Sequence, residues 1–353
     1  MPTIQDRDDL LAKATADEAL GAVAYALDLR NLDLSGIDLT RCHFVACDLR
    51  GANLRGALLN DATLHVCNLS ETNLQGASLA GANLMDSRLL SANLNEAVLD
   101  DASLAHVDVQ GSTLFNTQLG GTDLSGANLA GLDLETAKVS TRLLSGADLR
   151  GTRFALAQFA GADLRGAVVG RSSRFVQCLF DDADLSGLDL RGAEFRHSSF
   201  NGANLSRAQL DEADLSDASF REAMLEDASL VRCKAERTNF EGAVLTRSSF
   251  IQSVLHRANF SKSRAANSRF DNTQLHHGRF NGADLTNAML CHAALNHADF
   301  SHSILEYSNL GFADLGNADF HRARMGQASL RGARMEGVRA TDPKRAKAED
   351  FQR

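Results

Sequence analysis

Residues 34–59 read LSGIDLTRCHFVACDLRGANLRGALL. A large apolar residue returns at every fifth position: Leu34, Leu39, Phe44, Leu49, Leu54 and Leu59. The step continues to Val169, is interrupted by one extra residue within GRSSR at 170–174, and resumes from Phe175 to Met335. Of these 61 slots, 59 hold Leu, Phe, Val or Met, the exceptions being Ala235 and Ala265. The period therefore belongs to nearly the whole chain. Two residues before each slot, Ala, Ser, Thr, Cys or Gly fills 55 of the 61 positions.

A period of five excludes the usual elements. On an α-helix each step of five rotates by about 140°, so the apolar residues would wind around every face. A long strand needs strict alternation. A short strand bent at a corner every five residues fits both rules. The small and large residues, two apart, point the same way. The large one fills the interior and the small one the tight inner corner. The residue between them and the pair that follows face water.

The number of sides is legible too. Phe180, Phe200, Phe220, Phe240, Phe260, Phe280, Phe300 and Phe320 recur at a spacing of 20. Rings stacked one above the next at that spacing mean that four five-residue sides close one coil. The pattern of a small residue, Asp or Asn, Leu or Phe, and two variable residues resembles the pentapeptide-repeat family over roughly residues 30–340. The resemblance implies an all-β solenoid, a right-handed quadrilateral β-helix; the handedness comes from the family alone. The slots amount to about 15 four-sided coils, or a rod of about 70–75 Å at ordinary strand spacing.

Composition agrees with a repeat: two prolines, no Trp, and few aromatics in 353 residues. The net charge is −9 and uneven. Residues 1–170 carry 21 acids against 12 bases, whereas 171–353 carry 24 of each. The stretch 56–137 holds ten acids and one base, Arg88. Such a surface disfavours direct nucleic-acid binding. The first residues, MPTIQDRDDLLAKA, lack a basic region followed by an apolar core, and no apolar run suits a membrane span. A cytoplasmic location is the expectation, with no membrane association.

A solenoid exposes strand edges at both ends, so caps are expected. Residues 4–27 have helical composition and spacing, giving a short α-helical N-terminal cap over 1–28, a β-helix over 29–340, and a charged, disordered tail over 341–353 that makes a poor cap. The last coil then either frays, meets a partner, or forms an end-to-end homodimer. The added residue near 170–174 should bulge a corner or kink the coil. Arg142 falls in an inward small slot, so either that corner swells outward or the local register differs, a local bulge being the expectation over a buried arginine.

Five of six cysteines, Cys42, Cys47, Cys67, Cys178 and Cys233, occupy small inward slots, which is a packing role for reduced thiols. Cys291 falls outside. His256 and His276 are 20 apart, as are His277 and His297, and this places all four on one outer face. They either bind a metal or respond to pH, or they are solvated corner residues. No phosphate loop, nucleophile elbow or zinc-ligand spacing is present, and a smooth coil offers no deep pocket. No cofactor, no catalytic residue and no metal ligand is expected.

The reading is thus a non-enzymatic scaffold or adaptor for an unidentified protein partner. Bacterial family members beside secretion systems or effectors supply an analogy. The alternative is a DNA mimic that inhibits or modulates DNA gyrase or topoisomerase. A rod of that length would need about 40 negative charges to match DNA. The acids also divide among faces: Asp61, Asp100 and Asp101 on one, Glu96 on another, Asp86 on a third. These acids and the four histidines are the candidate interaction surface.

Overall fold

The computed structural model describes residues 8, 10 and 23–350. The chain divides into two compact units, Met1–Cys178 and Leu179–Arg353. Each is a β-solenoid.

Among the described residues of the first unit eight short strands are long enough to define: β1 Val23–Tyr25, β2 His43–Val45, β3 Thr63–His65, β4 Gln118–Gly120, β5 Asp133–Leu134, β6 Lys138–Ser140, β7 Arg153–Ala155 and β8 Arg174–Val176. They form parallel sheets in the orders β1-β2-β3, β4-β6 and β5-β7-β8. Elsewhere the coils are joined by single parallel bridges, as between Asn73 and Asn93. In the second unit such bridges climb from Leu179↔Ser199 to Asp319↔Arg339, about eight turns.

The five-residue rule has a local cause. Leu49 and Ala52 both point inward and are buried. Between them Ala52 N–H donates to the Leu49 carbonyl at 3.0 Å, and Gly51 has φ 68°. A turn with positive φ at its third residue bends the chain through one corner. From one coil to the next, Leu99 N–H donates to the Gln118 carbonyl at 2.8 Å and Gln118 N–H to the Ala97 carbonyl at 2.9 Å. The outward Asp or Asn supports the corner after it. Asp48 Oδ1 accepts from Arg50 N–H at 3.2 Å and Asn73 Oδ1 from Gln75 N–H at 3.2 Å. A short polar side chain can bond the backbone two residues on. This explains the recurrent Asp-Leu and Asn-Leu pairs, which packing alone does not.

The interior is continuous within each unit. Phe180 stacks on Phe200 at 4.8 Å, Phe200 on Phe220 at 4.7 Å, and the series runs on to Phe320. A second column, Phe250 on Phe270 at 4.9 Å, meets the first edge to face. In several small slots a buried hydroxyl finds a carbonyl, as Thr238 does at Leu215, 2.8 Å away, and Ser253 at Leu230, 2.6 Å away, whereas Ser263 Oγ finds no partner among the described residues.

The irregularities resolve as register shifts. The residue added at 170–174 makes Phe154 pair with Phe175 rather than with a residue 20 on. At the Arg142 corner Thr141 takes the inward position and donates to the Thr122 carbonyl at 2.6 Å, so Arg142 is exposed. Ser140 then bridges Gln158, a short step. The swollen corner leaves a shallow depression of about 550 Å³ beside Arg142, Leu143 and Gln158.

Two boundaries are corrected. The helical cap expected over 1–28 ends too late: Val23–Tyr25 is β1, paired in register with His43–Val45, because the ladder of β2 and β3 continues one coil further back. Asp28 likewise bridges Asp48, and residues 1–22 of the proposed cap lie outside the described residues, Asp8 and Leu10 aside. The tail expected to be disordered contains a helix, α1, Pro343–Asp350. Asp342 caps it, Oδ1 accepting from Lys344 N–H at 2.8 Å, and Pro343 opens it. No α1 residue is buried; charge, rather than an apolar face, holds the helix down.

Candidate functional site

The four candidate histidines form two stacked pairs. His256 and His276 lie 5.1 Å apart by ring centroid, and His277 and His297 lie 4.9 Å apart. Each pair is one column of a coil-to-coil ladder. His277 and His297 are corner residues with φ 60° and 59°. Parallel rings in a ladder present their nitrogens side by side rather than toward one point, so the pairs lack the convergence that a metal site needs.

The acids are also corner residues. Asp61, Asp86, Glu96 and Asp101 have φ between 55° and 62°. Asp tolerates that conformation better than most residues. The Asp61 and Asp101 carboxylates lie against Gly81 and Gly121 of the following coil, in the space a Cβ would take. Asp100 Oδ1 accepts from Gly120 N–H at 2.7 Å. Asp61 and Asp101 share a column two coils apart, and Asp86 and Glu96 stand at other corners. The structure does not gather the five into one site.

One constellation was invisible in the sequence. His302 Nε2 and His321 Nε2 stand 3.4 and 3.2 Å from Glu349 Oε2 on α1. His321 is buried. Arg322 completes the latch, its Nη2 donating to Asp350 at 2.7 Å and to the Ala346 carbonyl. Among the described residues this is the one cluster of three metal-ligating side chains. The donor set does not fit a metal as folded. Asp342 N–H donates to His321 Nδ1 at 3.1 Å, so the neutral ring carries its proton on Nε2 and donates it to Glu349. The nitrogen that would face an ion has no lone pair to offer. Spacing could not reveal the cluster, because His302 and His321 fall off the 20-residue column and Glu349 lies beyond the repeat.

A second feature lay unread in the pattern: large apolar side chains at corners. Val66, Leu156, Tyr307 and Phe312 have φ of 57–60°. They are 48, 69, 62 and 54% exposed. Phe312 stacks on His292 at 5.1 Å and covers Gly332.

This four-sided coil of five-residue sides defines a class, and sequence comparison gives it a name. A family model described as pentapeptide repeat region matches residues 37–119 and 203–277. A second, pentapeptide repeats (8 copies), matches 102–140, 143–169, 173–217, 268–306 and 305–337. The chain belongs to the pentapeptide-repeat family. Among solved structures it is similar to HetL, a pentapeptide repeat protein involved in heterocyst differentiation regulation from the cyanobacterium Nostoc. The identity is 26%, covering 78% of this chain and 89% of that one, with a TM-score of 0.24. It is similar to full-length QnrB1, a plasmid-mediated fluoroquinolone resistance protein, at 22% identity, covering 64% and 96%, with a TM-score of 0.21. A thylakoid lumen pentapeptide repeat protein of Arabidopsis thaliana is 27% identical over 30% of this chain and 69% of its own, with a TM-score of 0.18. No curated protein matches. No helix among the described residues is long and apolar enough to cross a membrane.

Proposed function

We propose that this chain is a non-enzymatic protein-interaction scaffold. The observation that carries the reading is the set of exposed apolar corners. Left-handed backbone costs an ordinary residue about 1–2 kcal/mol. The fold has a cheap solution, Gly or Asn, and uses it at many corners, Gly51 and Asn116 among them. Valine, leucine, tyrosine and phenylalanine there add strain and exposed apolar surface while filling no core. Contact with another protein gives such side chains a use, since aromatic anchors dominate interface energetics. An adaptor beside a secretion system or effector is the finer form of this reading.

Affinity capture from the native host with the full chain tests it. A specific partner whose retention falls when Tyr307 and Phe312 are changed to Asn supports the scaffold. Recovery of nothing, or of a partner indifferent to those positions and to Val66 and Leu156, removes it. The DNA-mimic alternative is weakened by acids that pair locally, such as Asp48 with Arg50 and Asp163 with Arg165. Inhibition of gyrase supercoiling at micromolar protein would favour it instead.

A further inference from the structure

We propose that the last described coil, residues 321–340, is a docking edge for an acidic β-strand of a partner protein, which adds to the coil as one more rung. The proposal rests on the scaffold reading and specifies where the partner binds and by what chemistry.

The ladder stops open at this coil. One turn earlier Leu305, Leu310 and Leu315 donate their N–H groups to the carbonyls of Arg324, Ser329 and Arg334. Among the described residues Met325, Leu330 and Met335 have no such backbone partner. Their side chains continue the inward column, yet Met335 is 41% exposed where Leu305 is at 0%. An uncovered edge with an apolar inner row is a template for strand addition.

The outward row sets the charge of the guest. The coil carries five arginines against one acid, Glu336, in a chain whose net charge is −9. Arg324, Arg334 and Arg339 hold the outward positions of three sides, in the same register as the bridges. Each is more than three-fifths exposed. The chain already shows how this register is matched. Arg334 and Arg339 stand 3.8 and 3.5 Å from Asp314 and Asp319 one coil below, and Arg153 stands 3.3 Å from Asp133. A strand laid on the open edge with Asp or Glu outward and Leu or Phe inward would repeat that pairing. A second copy of the same edge would set arginine against arginine, so charge selects against it. Helix α1 docks at the corner of His321 and Arg322; its Lys344, Arg345 and Lys347 are balanced by Asp342, Glu349 and Asp350, so the positive charge of the edge rests on the coil's own arginines.

The test uses the full chain and a fluorescein-labelled peptide of four Ala-Asp-Leu-Ser-Gly repeats, with a peptide carrying Lys in place of Asp as control. Anisotropy should show binding of the acidic peptide alone. Combining Arg324→Glu, Arg334→Glu and Arg339→Glu should weaken it by about tenfold or more, and added salt should weaken the wild-type complex. Binding of neither peptide, or acidic-peptide binding unchanged by the triple substitution, overturns the proposal. Tighter binding of a short DNA duplex through the same arginines also overturns it and makes the edge a nucleic-acid site. The two readings fail separately: a host partner captured equally by wild type and triple variant refutes the docking edge and leaves the scaffold standing.

Discussion

The Nε2 of His321, buried in the last coil, and Oε2 of Glu349, on α1, are 3.2 Å apart although 28 residues separate them in the chain. This contact, with Arg322 to Asp350 and Arg345 to Asp319 at 3.5 Å, docks the helix. Desolvation works to raise the Glu349 pKa, but hydrogen bonds from His321 and Arg345 outweigh it and leave it below the ordinary 4.5. A carboxylate with a lowered folded pKa stabilises above its unfolded value and loses that contribution as pH falls. Amide protection of residues 346–350, corrected for intrinsic exchange, should therefore hold at neutral pH and fade below pH 4.5. Glu349→Gln should show the faded state at pH 7. Protection unchanged in that variant would mean that α1 is held by something else.

The phenylalanine column should dominate the second unit's stability. Phe220 is fully buried between Phe200 at 4.7 Å and Phe240 at 5.2 Å. Phe220→Ala should cost about 3–5 kcal/mol in denaturant unfolding, and Phe220→Leu considerably less. Because each coil contacts only its neighbours, loss should appear first as proteolysis near residue 220.

Two glycines with similar φ should respond differently. Gly56 has φ 64° and open space where a Cβ would go, whereas at Gly121, φ 67°, the space holds the Asp101 carboxylate. Gly56→Ala should cost about 1 kcal/mol from backbone strain alone. Gly121→Ala should cost about 0.5–1.5 kcal/mol more as Asp101 is pushed off its rotamer. Adding Asp101→Ala should remove the excess in a double-mutant cycle; simple additivity would refute the contact's role.

Val66 is the opposite case, a β-branched residue at φ 57° with its side chain half exposed. Val66→Asn should raise the unfolding midpoint, by about 1 kcal/mol in free energy. If the same change also lowers capture of a partner, the strain at this corner serves binding.

Thiol labelling reports on coil opening. Burial pushes Cys178 and Cys233 up to about 12, while Cys42 and Cys291 are only half-buried. Iodoacetamide at mildly alkaline pH should modify Cys42 and Cys291 first and leave Cys233 intact until the unit unfolds, as read by mass spectrometry. Equal rates would mean that the second unit opens locally.

The repeat was legible because packing into a narrow coil imposes one demand per residue. Leu49 must be large, Ala52 small, and the Phe180–Phe320 series must recur each turn, so periodicity by itself specified a four-sided coil and its inward faces. The outward-turned Arg142 followed too, since no small slot accommodates a guanidinium. Other features depend on which distant residues the coil stacks. The pairing of Asp101 with Gly121 is decided between turns. The αL backbone at Val66 and Phe312, by contrast, was open to reading, since both stand at the step shared by Gly51, Gly56 and Asp61, just before the small slot. The start of the ladder at β1, the docking of α1 and the open arginine edge at 321–340 were decided only in three dimensions. β1 and the arginines keep the 20-residue spacing, Ala24 opposite Phe44 and Arg339 opposite Asp319, but whether a coil is covered by a neighbour is set by stacking; α1 docks through Glu349, beyond the repeat, where charge complementarity across space leaves no period to read.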